Sequence, residues 1–314
     1  MEIIDLVKKL YKPNTFIRNL FFKKEVYESS ECITWNIINR ANNIASFGNP
    51  NSSAHVVNIK NFTPPVIIPR TREKILIPIE YNNVDDNILQ STLKYLLDRI
   101  VWTQEYLCSL AFTEGKIDIQ NENISLNVDF KIPVENVQEA SVEWQSETAN
   151  IIEDIEKLTM NVRKVSGLVP DSLIIGYEAF SYMMRNEKFR KIYNDQRKFE
   201  MWSNRLQERP EGASCHINLP YAGGYLALYQ YTKTIIDDNE IEKYLIDPKK
   251  IYIGSTQAQN TFTWGRVTDI HGGDSKIFTK TWENFSGIYL LAESCSMPVL
   301  SQPNAFGRMT VIAE

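Results

Sequence analysis

Between Phe62 and Ile79 the sequence runs FTPPVIIPRTREKILIPI, with prolines at 64, 65, 69 and 78. No other stretch restricts the fold as strongly. Proline has no N–H to give a sheet ladder, which excludes a central strand. It also breaks helices and pushes the residue before it to extended geometry. Yet Val66, Ile67, Ile68, Ile75, Leu76, Ile77 and Ile79 are apolar, around a charged middle of Arg70, Arg72, Glu73 and Lys74. The segment reads as a stiff, extended, apolar arm with a charged tip, and such an arm must cover something.

The chain is long enough, at 314 residues, for two modest domains or one large one. Its hydrophobic fraction of 43% and charged fraction of 23% match a folded soluble protein rather than a disordered one. No apolar run approaches the roughly 18 residues of a membrane helix. The opening MEIIDLVKKLYK lacks the apolar core of a signal peptide; Ile3, Leu6, Val7 and Leu10 are spaced for a short helix instead. Cys32, Cys108, Cys215 and Cys295 have no paired spacing, so they read as free thiols in a reducing compartment rather than as zinc ligands. Charge is uneven: Lys8, Lys9, Lys12, Arg18, Lys23 and Lys24 face only Glu2 and Asp5, in a chain of net charge -5. Two readings stand for this basic start, a solvated amphipathic helix or an arm that touches an acidic partner.

Periodicity predicts a long helix over 85–115. Leu89, Leu93, Leu96, Leu97, Ile100, Leu107, Cys108 and Ala111 recur at spacings of three and four, with Gly115 as the stop. It would be a rod of roughly 40 Å. Alternating residues over 116–132, with a turn at 121–123, predict a hairpin. A second helix is predicted over 147–166 with Gly167 at its C-cap, then a short buried strand at Leu173–Ile175, then a helix over 177–193. The last third predicts strands near 216–219, 225–231, 250–254, 261–267, 287–292 and 308–313.

Chemistry is sparse. No phosphate loop, dinucleotide fingerprint, nucleophile elbow or zinc-protease helix occurs. Cys215 and His216 are adjacent in a predicted strand, so their side chains point to opposite faces. HGGDS at His271–Ser275 fits a turn better than a phosphate nest. Asp237, Asp238 and Glu240 read as a solvated loop rather than a cation site. No cofactor or metal is expected.

The order of parts is more informative: basic start, extended loop, rod helix, hairpin, α/β unit, closing strands. It resembles the HK97-like fold of tailed-phage major capsid proteins, an α+β architecture. Short motifs narrow the likeness to the lambda-type major capsid proteins, the phage capsid E family. FIRNLFF at Phe16–Phe22 is similar to that family's phenylalanine cluster, and FTPPVIIP at Phe62–Pro69 to its loop motif. GSTQA at Gly254–Ala258 resembles its Gly-Asn-Thr-Gln-Ala turn, with Ser255 in place of the asparagine. AESCSMPVLSQPNAFGRMTVIA at Ala292–Ala313 resembles its closing strands, whereas residues 194–213 depart from the pattern.

The resemblance implies an N-terminal arm over 1–43, an extended loop over 44–80, a peripheral domain with spine helix over 81–145 and 287–314, and an axial domain over 146–286. It implies a structural, non-enzymatic subunit that self-assembles through hexamers and pentamers into an icosahedral head around double-stranded DNA. Scaffold, portal and decoration proteins are the implied partners. Its implied place is the virion capsid, with assembly in the host cytoplasm and no membrane. Phe62, Pro64, Pro65, Val66, Ile68, Arg70, Arg72 and Lys74 would contact a neighbouring subunit, the prolines lowering the entropy lost on docking. Lys8, Lys9, Lys12, Lys23 and Lys24 would form an interior basic arm. Two other readings remain: a nanocompartment shell around protein cargo, and an α/β enzyme with a site near His271–Ser275.

Overall fold

The computed structural model describes residues 7, 9–13, 15–38, 63–78, 86–120, 124–202, 213–221, 223–236, 240–267, 276–284 and 287–313. Helix α1 (Phe16–Phe21) leads to strands β1 (Lys24–Tyr27), β2 (Cys32–Ile33), β3 (Val66–Ile67) and β4 (Arg70–Pro78). The rod helix is α2 (Asp86–Thr113), followed by the hairpin β5 (Lys116–Gln120) and β6 (Ser125–Asp129). Next come β7 (Val137–Glu139), α3 (Ile151–Ser166), β8 (Ser172–Ile175), α4 (Tyr177–Arg185) and α5 (Glu187–Trp202). Nine strands follow among the described residues: β9 (Ala213–Tyr221), β10 (Gly224–Tyr231), β11 (Thr234–Ile236), β12 (Glu242–Tyr244), β13 (Lys250–Gly254), β14 (Thr261–Trp264), β15 (Phe278–Asn284), β16 (Gly287–Val299) and β17 (Phe306–Thr310).

Two sheets organise the molecule. One has β16 at its centre, paired with β14, β15 and β4, and extended by β1 beyond β14. The other runs β7-β17-β13-β8-β10-β9. Helix α2 forms where its periodicity predicts. Leu93, Leu96, Leu97 and Ile100 are fully covered, packed with Leu290 and Ala292 of β16. Each such side chain contributes about 1.5–3 kcal/mol by leaving water. The far half of the helix, through Leu107, Cys108, Ala111 and Phe112, enters a separate core shared with both sheets.

Some boundaries move for local reasons. Helix α3 starts at Ile151 rather than 147, because the chain before it folds back on the helix. Trp144 is buried there, and its indole N–H donates to Asp154 at 3.0 Å. Gly167 does end α3, in the left-handed conformation at φ 75°. The helix predicted over 177–193 is two helices broken at Asn186. The Asn186 Oδ1 accepts the Phe189 N–H at 3.1 Å, and its Nδ2 donates to the Ala149 carbonyl at 3.2 Å. Asparagine competes with the helix in this way and starts a new one. β5 and β6 pair antiparallel as predicted, while their turn at 121–123 lies outside the described residues.

The sheets cross the domain limits drawn from the sequence. β14 and β15, assigned to the axial part, pair with β16. β7 and β17, assigned to the peripheral part, belong to the six-stranded sheet. The limits at 146 and 287 therefore separate strands that share hydrogen bonds.

Candidate assembly surfaces

The start of the chain is anchored, not detached, from Thr15 onward. Phe16, Ile17, Leu20, Phe21 and Phe22 are all buried. Phe21 stacks on Phe112 with ring centroids 4.7 Å apart. The anchor is polar as well as apolar. Glu105 of α2 accepts the N–H of Ile17 at 2.7 Å and of Arg18 at 3.0 Å, and the Tyr231 hydroxyl at 3.1 Å. Burial pushes the Glu105 carboxyl above the usual carboxylate range, while these donors pull it down. Arg18, counted from the sequence with the basic arm, is 4% exposed. Its guanidinium donates to Gln104 and Glu25, both at 2.9 Å, and lies 4.0 Å from the centre of the Phe262 ring. Its charge therefore faces the interior of the subunit. Lys9, Lys12, Lys23 and Lys24 are exposed, and Lys8 lies outside the described residues.

The proline-punctuated segment needs a correction. Residues 70–78 do form a strand, and it belongs to this subunit's own sheet. β4 pairs antiparallel with β16, from Arg70 opposite Cys295 to Pro78 opposite Gly287. Its position is at an edge, which is where proline is tolerated. Pro69 precedes the strand and Pro78 is its last residue. Ile68 is 2% exposed within the main core, so it is not available to a neighbour. Arg70 and Arg72 both pair with fully buried Glu293, at 3.4 and 2.6 Å, and Arg70 also reaches Glu31. A buried carboxylate needs such partners, so both arginines hold the sheet together. Pro64 and Pro65 are exposed, and Val66 is half-buried opposite Ile33. Phe62 lies outside the described residues.

Alternation along β4 sorts its side chains to two faces. Glu73 and Ile75 turn toward α2, where Glu73 accepts two bonds from Arg99 at 3.0 and 3.2 Å and Ile75 joins the Leu93–Leu97 cluster. Arg72, Lys74 and Leu76 take the opposite face, in line with Glu293, Leu291 and Tyr289 of β16. β15 extends this face: Lys280 is opposite Leu291, and Trp282 is opposite Tyr289. Lys280, Trp282 and Tyr289 are residues that sequence reasoning did not connect with Lys74. The alternation in their strands was the available signal, but it names no partner strand.

Other chemistry stays weak. Among the described residues no group of His, Cys, Asp and Glu is placed to hold a metal ion. All four cysteines are free thiols, and burial pushes the Cys108 and Cys295 thiols up, away from reactivity. His216 stacks on Phe180 at 4.4 Å, and its Nε2 is 3.1 Å from the side-chain Oε1 of Gln230. A cleft of about 360 Å³ lies beside α1, lined by Phe16, Lys23, Asp171, Tyr229 and Thr256. Asp171 is already engaged there by Thr256 and Ser172. His271–Ser275, and Asp237 and Asp238, lie outside the described residues. No helix among the described residues is long and apolar enough to cross a membrane.

Comparison with known proteins supplies the identity that no cluster of side chains could. No curated protein matches the sequence. Among solved structures, a capsid protein of an E. coli CFT073 prophage superposes with a TM-score of 0.74. It is 19% identical, over 99% of this chain and 98% of that one. A phage-related protein from Bordetella bronchiseptica RB50 has a TM-score of 0.59 at 12% identity, covering 98% and 95%. The capsid of Cyanophage P-SCSP1u has a TM-score of 0.51 at 12% identity, covering 94% and 88%. The fold is thus that of the HK97-like capsid proteins. The family model described as phage major capsid protein E matches residues 83–311, most of the chain, including α2, the six-stranded sheet and the β14, β15 and β16 strands of the other sheet. This chain belongs to the phage major capsid protein E family, and is a structural shell subunit rather than an enzyme.

Proposed function

We propose that the chain is the major subunit of an icosahedral tailed-phage or prophage head, built from hexamers and pentamers around double-stranded DNA. The family match over residues 83–311 carries this reading. The mechanism is geometric. Many modest interfaces close on one another, so weak pairwise contacts hold a stable shell. Exposed Lys9, Lys12, Lys23 and Lys24, with Lys8, form the interior basic arm in this reading. They would meet packaged DNA without sequence preference, or an acidic scaffold during assembly in the host cytoplasm. A portal completes the head, and a decoration protein is a further partner. Of the loop residues named from the sequence, Pro64, Pro65 and Lys74 are exposed and make no ion pair with a described residue, and in this reading they stay available to a neighbour. The peripheral and axial parts would divide along the two sheets, not at residues 146 and 287.

The test is expression of the chain alone and with its scaffold, followed by electron microscopy and nuclease treatment of purified particles. Closed shells or capsomer rings are expected, with nuclease-protected DNA in particles from phage-producing cells. A monodisperse monomer under all conditions would refute a shell subunit. Shells that always enclose protein and never DNA would instead identify a nanocompartment.

A further inference from the structure

We propose that the outer face of the β4–β16–β15 sheet in one copy of this chain docks on the acidic edge at Val134–Glu143 of a second copy. The inference rests on the capsid reading above and names a contact within the shell.

The first surface is apolar with cations on both flanks. Leu76, Tyr289 and Trp282 stand directly opposite one another across three strands. The Trp282 and Tyr289 rings are stacked, with centroids 5.2 Å apart. In the next row Lys74 and Lys280 flank Leu291. Two strand spacings put these lysines about 10 Å apart. Both are exposed, and neither makes an ion pair with a described residue; the Lys74 Nζ lies 5.1 Å from the Tyr289 ring. An outer sheet face is usually polar, so a stacked Trp–Tyr pair and two leucines there call for a cover.

The second surface is its complement in sign and shares its apolar character. From Ile132 to Glu156 the sequence has no lysine or arginine, and seven carboxylates. Val134, Val137 and Val142 are exposed, Val134 at 83%. Glu135, Glu139 and Glu143 are exposed beside them, and none makes an ion pair with a described residue. Val137 and Glu139 share one face of β7, which ends the six-stranded sheet and pairs with β17 alone among the described residues. Valines set among carboxylates are the pattern that an apolar face rimmed by lysines would recognise.

Several observations favour a second copy as the occupant. Each surface sets apolar side chains among one sign of charge, with Leu76 exposed and Trp282, Tyr289 and Leu291 half-buried on the first and three exposed valines on the second, and the signs are opposite. They sit on different sheets, so neither covers the other within one chain. A contact between two unlike surfaces is head-to-tail, which builds rings and arrays rather than a closed pair, as a shell requires. Nucleic acid on the basic face would leave the exposed valines and carboxylates without a role.

Two variants of the full chain test the contact: K74E/K280E, and E135K/E139K/E143K. All five residues are exposed, and circular dichroism and cooperative unfolding should match the parent. Each variant alone should need roughly tenfold or more the parent concentration to form particles by sedimentation and microscopy. Mixed in equal amounts, alternating variants meet with opposite charge all round a hexamer and at all but one contact of a pentamer, and should assemble again. If both variants assemble like the parent, the contact is wrong while the shell reading stands. If only the lysine variant is defective, and it loses retained DNA while the mixture stays unassembled, nucleic acid occupies that face and the proposal fails. If the parent forms no particles at all, the shell reading fails. The mixture then still reports on the contact: a complex by sedimentation supports it, and monomers overturn it.

Discussion

Glu105, in the middle of α2, caps a helix that lies 88 residues earlier in the chain: its carboxylate takes the N–H of Ile17 at 2.7 Å. The N-cap position of α1 is Thr15, whose side chain makes no capping bond. The opening turn of a helix leaves N–H groups without intrahelical partners. Here a buried carboxylate from the rod helix supplies the acceptor, so α1 is held only where α2 has already packed. The same carboxylate takes the Tyr231 hydroxyl of β10, tying the start of the chain to the six-stranded sheet.

Glu105→Ala should therefore destabilise the subunit well beyond the loss of one side chain. It leaves two backbone donors and the Tyr231 hydroxyl unpaired inside the protein. Each orphaned donor costs about 1–3 kcal/mol, and partial relaxation sets the expected total near ~3 kcal/mol. Urea unfolding of the unassembled subunit measures it. A loss below ~1 kcal/mol would mean that water or Thr15 replaces the carboxylate at little cost.

Two carboxyls in this region should shape the pH profile in opposite senses. Burial alone would raise Glu25, but Lys276 at 2.6 Å and Arg18 at 2.9 Å outweigh it and hold the group below its usual range. Its stabilising effect is present above the unfolded value of about 4.3 and is lost as pH falls through the depressed folded value. Glu105 is raised, by burial above all. Its contribution is full below about 4.3 and is lost as pH rises through the raised folded value. In urea midpoints taken across pH, Glu25→Gln should flatten the acid limb. Glu105→Gln should flatten the decline on the other side, whatever its effect on the absolute level. A parent-like slope in either variant contradicts the corresponding assignment.

Neighbouring isoleucines in the proline-rich segment should behave unlike each other. Ile68 is 2% exposed in the main core, whereas Ile67 is 64% exposed. Ile68→Ala removes buried methyl groups and leaves a cavity, at a cost of about 2–4 kcal/mol. Ile67→Ala should stay within about 0.5 kcal/mol of the parent. Thermal or urea unfolding of unassembled subunits separates the two. Equal, small effects would mean that the segment does not belong to the subunit's own core.

The sequence alone determined the parts whose signal is local. Leu93, Leu96, Leu97 and Ile100 repeat within a few residues, so α2 was legible almost to its ends. Gly167 marks its own left-handed turn, and Lys250–Gly254 was read as a strand from end to end. The spaced family motifs place most of the chain, residues 194–213 apart, among capsid proteins without any contact being known. Only the tertiary structure decided where Arg70–Pro78 goes. Its partner, Gly287–Cys295, is about two hundred residues away, and alternation gives a strand two faces without naming the strand beside it. Prolines restrict β4 to an edge, and they leave open whether the sheet is its own subunit's or a neighbour's. For the same reason nothing in the local sequence sets Glu105 apart from any other helical glutamate, and Arg18 counts there with the cations of the basic start. Their burial comes from packing between segments remote in sequence, and composition and spacing carry no record of it.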